Sequence, residues 1–175
     1  MQGLYTLESV LNMQSPTENF LVKLEDNIYG IRFKGFKLRD CDTKEIYHSF
    51  ETNNVYELDY FASNILTYEF PQKLLRVKTV GSNLKLVVGD QLVENLDLVE
   101  RHYIDDKLVA SYRFNFPIFM PNSENNVEFI YSVPSLSEET IKKIGMRQVV
   151  EAKSDTFIFV KGILVIHRRA EYKYI

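Results

Sequence analysis

Turn chemistry recurs along this chain at short intervals, and that spacing limits what can fold between the turns. Asp42-Thr43-Lys44, Gly81-Ser82-Asn83, Gly89-Asp90, Asp105-Asp106-Lys107, Pro121-Asn122-Ser123 and Lys161-Gly162 all combine residues that accept bent or left-handed backbone. The runs between them are rich in branched and aromatic side chains: LTYEF, LLRVKTV, LKLVV, LVERHY, LVASYRFNF, TFIFV, ILVIH and EYKY. With GIRFKGFKL and KEIYHSF added, the pattern predicts about eight to ten strands, enough for an all-β fold of two packed antiparallel sheets. In GIRFKGFKL, Ile31 and Phe33 hold one parity and Phe36 and Leu38 the other, with Gly35 between, which predicts a bulge.

Two helical pieces are expected beside the strands. Thr6 can cap a short run containing Leu7, Val10 and Leu11, so residues 1–20 read as a helical arm and 21–175 as the sandwich domain. In LSEETIKKIG, Ser137 is an N-cap, Leu136 and Ile141 are placed for a hydrophobic staple, and Gly145 ends the helix. Glu51 to Asn64 has weak strand character and reads as a surface loop.

Composition excludes several functions. With 175 residues, 45% of them hydrophobic, one domain with a real core is expected. A net charge of −3 lacks the basic footprint of a nucleic-acid binder. One cysteine, Cys41, excludes an intrachain disulfide framework and fits a cytoplasmic chain. The run Ile163 to Ile166 is far short of the roughly 20 residues a membrane helix needs, so no stable membrane insertion is expected. The second residue is Gln and no C-terminal cysteine box is present, so any lipid handled is expected to belong to another protein.

No catalytic constellation emerges. His48, His102 and His167 form no zinc motif, and neither a phosphate-cradling glycine loop nor a nucleophile elbow occurs, so no metal, cofactor or enzymatic activity is expected.

The informative stretch is LDLVERHY. With strand parity, Leu96, Leu98, Glu100 and His102 share one face, opposite Asp97, Val99, Arg101 and Tyr103. In SYRFNF, one short hairpin away, Tyr112, Phe114 and Phe116 share a face opposite Ser111, Arg113 and Asn115. An unpaired carboxylate in a dry core costs several kcal/mol, so Glu100 needs a partner, with His102 and Tyr68 as candidates, or access to solvent. Two readings stay open on residues alone: a buried, internally satisfied cluster, or a polar group lining an apolar cavity that takes a ligand.

The run FKLRDCDTKEI, then LRVKTVGSNLKLVVGDQLVENLDLVERHYIDDKLVASYRFNFPIFMPNSENNVEFIY, then PSLSEETI, SDTFIFV, LVIH and AEYKY, resembles the Unc (uncoordinated, retinal gene four) family of myristoyl-binding carriers. That family shares a superfamily with the delta subunit of the rod cGMP phosphodiesterase. The resemblance implies an immunoglobulin-like β-sandwich whose apolar slot takes the lipidated N-terminus of a cargo protein. It implies that Glu100 and Tyr68 meet the cargo's first glycine and acyl amide, with Glu100 the one charge lining the slot. His102, Phe36, Tyr112 and Tyr172 match further pocket positions, and Phe33 and Phe114 complete the expected lining. Where the family carries aromatics, this chain has Ile65 and Ile158. Implied partners are N-myristoylated cargo proteins and an ARF-like small GTPase in its GTP state that triggers release, with delivery to a cilium or flagellum as one destination. The rivals are a prenyl carrier of the delta-subunit type and a protein-interaction module with a filled core.

Overall fold

Left-handed backbone at four positions closes the two tightest hairpins. Asp105 and Asp106 have φ of 48° and 59°, and Lys161 and Gly162 have φ of 50° and 78°. That geometry matches the right-handed twist of the strands each pair joins. The computed structural model describes residues 5–54, 57, 63–146 and 152–175. Among them are β1 (Arg32–Asp40), β2 (Ile46–Glu51), β3 (Leu66–Phe70), β4 (Thr79–Val87) and β5 (Val93–Ile104). The chain continues with β6 (Lys107–Phe119), β7 (Glu124–Ser132), β8 (Ala152–Val160) and β9 (Ile163–Tyr174). Helix α1 spans Leu7–Leu11 and α2 spans Glu138–Gly145. Half of the loop expected at 51–64, residues 55, 56 and 58–62, lies outside the described residues; Glu51 itself ends β2.

The strands form two sheets, ordered β2-β1-β4-β7 and β3-β9-β8-β5-β6. An all-β sandwich is therefore the architecture, with one departure from purely antiparallel pairing: β3 runs parallel to β9, Leu66 opposite Ala170 and Tyr68 opposite Tyr172. Parallel neighbours need a long connection, and β3 and β9 are far apart in the chain. The expected bulge in β1 lies between Phe33 and Gly35, where the pairing with β4 skips Lys34.

Three strand boundaries differ from the pattern. Gly81-Ser82-Asn83 is not a turn but the middle of β4, paired with both β1 and β7. Gly81 serves close packing there: an added Cβ would sit 3.0 Å from Arg39 Cζ, and the Arg39 guanidinium crosses it to reach Glu128 at 2.6 Å. LLRVKTV is split, because a 3-10 turn over Gln72–Arg76, begun after Pro71, buries the successive residues Leu74 and Leu75. ILVIH and EYKY, conversely, fuse into β9.

The five-stranded sheet is buried on both faces only at its centre, along β5, β8 and the start of β9. Its outer face carries Val99, Phe157, Phe159 and Leu164, covered by Val10, Leu7, Leu11 and Met13 of the N-terminal arm. Thr6 caps α1 as predicted: its Oγ1 accepts from Ser9 N–H at 3.1 Å, and Ser9 Oγ accepts from Thr6 N–H at 2.9 Å. Beyond α1 the arm is held by polar contacts. Asp155, 1% exposed, accepts from Thr17 N–H at 2.8 Å and from Thr17 Oγ1 at 2.9 Å. His167 Nδ1 accepts from Leu21 N–H at 3.1 Å, which leaves Nε2 to carry the proton it donates to Asp155 at 3.1 Å. Arg101 donates to Met13 O and, at 2.9 Å, to Ser111 Oγ.

Asp155→Ala would leave the Thr17 N–H without its acceptor and the His167 Nε2–H with only Thr17 Oγ1, at 3.3 Å, in a buried setting. The expected loss is about 3 kcal/mol, read from the urea midpoint. Limited proteolysis should then cut within residues 5–20 before the strands; an unchanged midpoint with a protected arm would contradict this account.

Candidate ligand cavity between the sheets

The sandwich holds a large core at one end and a smaller buried cluster, Leu38, Phe70, Leu74 and Val80, that borders an open space between the sheets. Leu86, Val93, Leu96, Phe129, Ile158, Val160 and Ile166 pack into a continuous core, and Leu98 forms its boundary. Past that boundary the sheets enclose a cavity of about 590 Å³, within the size range of small-ligand sites. Strand parity produces the change along β5, where Leu96 and Leu98 enter the core and the next inward residues, Glu100 and His102, line the cavity. The neighbouring strands change in register: Leu98 pairs with Ile158, Glu100 with Thr156 and His102 with Ser154. On β9 the same rows continue as Ile166, Arg168 and Ala170.

The opposing wall comes from β1, β2 and β4, with Phe36, Leu38, His48, Phe50, Val80 and Leu84. Tyr68, Phe70 and Tyr172 stack side by side on the other sheet, with centroids 5.8–6.1 Å apart. His48 sits among these rings, 5.2 Å from Tyr68 and 5.7 Å from Phe36. Burial pushes the His48 imidazole below its ordinary range. Burial also pushes Tyr131 and Tyr172 well up, and Tyr174 up to about 12, so all three stay neutral hydroxyls. Tyr172 shares a hydrogen bond with Ser154 at 2.6 Å, and Tyr112 donates to Ser132 O at 2.7 Å.

Glu100 keeps 25% of its side-chain surface and lies 3.5 Å from His102 Nε2. That contact is too long for a hydrogen bond, and His102 Nε2 is buried with no hydrogen-bond partner among the described residues. The other candidate partner is out of reach. Tyr68 is three strands from Glu100 in sheet order, roughly 14 Å at backbone spacing, and instead meets aromatic rings and the Arg168 guanidinium.

Of the eight residues singled out in the sequence, Phe33, Phe36, Tyr68, Glu100, His102, Tyr112 and Tyr172 line the cavity. Phe114 lies behind them, packed on Phe129 at 4.2 Å within the core. Ile65 lines the cavity, whereas Ile158 is in the core. Glu100 is not the only charge on the walls. Arg168, absent from the sequence expectation, also lines the cavity, its guanidinium 4.5 Å from the Phe33 ring centroid. Burial pushes this guanidinium below the usual arginine range, with Tyr68, Tyr172 and Glu100 acting in the opposite direction. Parity could have found it, since Ile166, Arg168, Ala170, Tyr172 and Tyr174 alternate on one face. No group of histidine, cysteine and acidic residues among the described residues is arranged to hold a metal.

Residues 25–174 match the family model described as GMP-PDE, delta subunit. The chain is 38% identical to Protein unc-119 homolog B-A of Xenopus laevis, an alignment covering 95% of this chain and 72% of that protein. It is 36% identical to the human Protein unc-119 homolog B, covering 95% and 70%. With Protein unc-119 of Caenorhabditis elegans the identity is 33%, covering 97% and 79%. The chain belongs to the Unc-119 family.

Membership in the Unc-119 and delta-subunit group suggests a lipid-binding carrier, and the group is one of carriers and not of enzymes. Lipidated proteins are the partners that this family implies. No helix among the described residues is long and apolar enough to cross a membrane.

The depressed His48 has a consequence for acid stability in this Unc-119 relative. In the unfolded chain histidine titrates near pH 6.5, while the folded cavity resists the proton. The contribution is whole above that pH and is lost as pH falls below it. His48→Phe should therefore flatten the drop in melting temperature between about pH 7 and 5.5. An acid-side slope identical to that of the parent would rule His48 out as a source.

Proposed function

We propose that the chain carries N-myristoylated proteins, taking the acyl chain into the cavity and the cargo's first glycine and acyl amide against Glu100. The observation that supports this reading is an apolar cavity between the sheets whose wall includes a carboxylate with no strong partner. Hydrocarbon supplies the affinity: at about 0.8 kcal/mol per methylene, a myristoyl chain gains on the order of 10 kcal/mol before entropy and desolvation costs. Selectivity resides in the polar end, where a cargo N–H donated to the Glu100 carboxylate adds about 1.5–3 kcal/mol. In this reading the carrier works in the cytoplasm, and a cilium or flagellum is one destination.

Release by an ARF-like GTPase in its GTP state belongs to the same proposal. Such a partner must favour the narrowed cavity over the loaded one, and the coupling acts equally in both directions.

The test is a fluorescence titration, with native mass spectrometry, of a myristoylated Gly-initiated peptide against the same peptide without its acyl group. Only the acylated form should bind tightly; equal, weak binding of both rejects the proposal. A farnesylated C-terminal peptide in the same assay separates the myristoyl carrier from a prenyl carrier. Glu100→Gln should weaken the myristoyl peptide about tenfold, since its hydrogen bond becomes neutral, with little change in melting temperature. A large fall in melting temperature would instead mark Glu100 as part of a satisfied core.

A further inference from the structure

Arg168 lies in the first row beyond the filled core, beside Thr156 and in the same row as Glu100. Both sheets enclose it, and the surface it retains faces the cavity. Among the described residues it forms no ion pair, in contrast to Arg169, which lies 3.9 Å from Asp155. Glu100 is two strands away, roughly 10 Å at backbone spacing, and has His102 as its near neighbour. Phe33 offers one face of the guanidinium a ring. Tyr68 takes a hydrogen bond from the guanidinium; with five N–H donors in the fork, donors remain for an acceptor in the cavity.

A guanidinium set in apolar walls gains most from a carboxylate, which meets it with two parallel, charge-assisted hydrogen bonds. A ligand without an anion leaves that cation desolvated and poorly compensated. We propose that the cavity selects long-chain acyl ligands bearing a carboxylate, which Arg168 pairs while the chain lies on the apolar walls. The carboxylate is either a free fatty acid's own or an acidic side chain among the first residues of an acylated peptide. This deepens the carrier reading and rests on it.

Two matched pairs of ligands test the proposal on the full chain, by fluorescence titration or calorimetry. One pair is myristate and methyl myristate; the other is two myristoyl-Gly peptides that differ only in Glu or Gln near the acylated end. At least one carboxylate ligand should bind about tenfold more tightly than its neutral partner. Arg168→Gln should erase that advantage and Arg168→Lys should keep part of it, with melting temperatures measured for both variants. Preference within the first pair identifies the fatty acid as source, and preference within the second alone identifies the peptide side chain. Equal affinities within both pairs, or a preference that survives Arg168→Gln, overturns the assignment while leaving the carrier reading intact. Failure of all four ligands to bind removes the carrier reading and this proposal with it.

Discussion

Burial of β5, β8 and the start of β9 on their outer face is the constraint that lets the space inside the sandwich stay open. A sandwich ordinarily gains its stability from side chains that interdigitate between the sheets. Here that contact is fullest at one end, around Leu96, Phe129, Ile158 and Ile166, with Leu38, Phe70, Leu74 and Val80 packed beside the cavity. A second apolar cluster compensates, formed where α1 and the segment after it cover Val99, Phe157 and Phe159. Asp155, His167 and Arg101 then fix the arm by hydrogen bonds on that outer face, away from the cavity. Strands β5, β8 and β9 are thus anchored from behind, and their inward residues are free to serve a ligand.

The cavity's polarity has a similar logic. A single row across the inner face holds Glu100, Thr156 and Arg168, an anion and a cation too far apart to pair with each other. Were they in contact, each would satisfy the other and the cavity would offer a guest little beyond apolar contact. Held apart, the carboxylate accepts from N–H donors and the guanidinium donates to oxygen, while the surrounding rings and aliphatic groups meet hydrocarbon. In the proposed carrier, affinity and selectivity are therefore carried by different side chains on the same wall.

Much of this was legible from local rules. The hairpins at Asp105-Asp106 and Lys161-Gly162, the bulge beside Gly35, the cap at Thr6 and the helix begun by Ser137 are all decided by residues within a few positions of each other. Alternation along β5 and β6 placed Glu100, His102 and Tyr112 on the inner face correctly. The misreadings have a common cause in contacts distant along the chain. Gly81 looks like a turn residue until Arg39 is seen lying across it. Tyr68 looks like a partner for Glu100 until the sheet order puts β9 and β8 between their strands. Phe114 shares parity with Tyr112, yet it meets Phe129 and lies behind the cavity because the core ends between those rows.

The sequence by itself determined the strand content, the tight turns and which side chains share a face, because backbone sterics and the two-residue period act within each strand. It also carried the family resemblance. Only the tertiary structure decided how far the core extends, which inward residues border a cavity, and that Arg168 joins Glu100 there. Those outcomes depend on the separation of two sheets and on the order of strands within them, and both are set by packing between residues far apart in the chain.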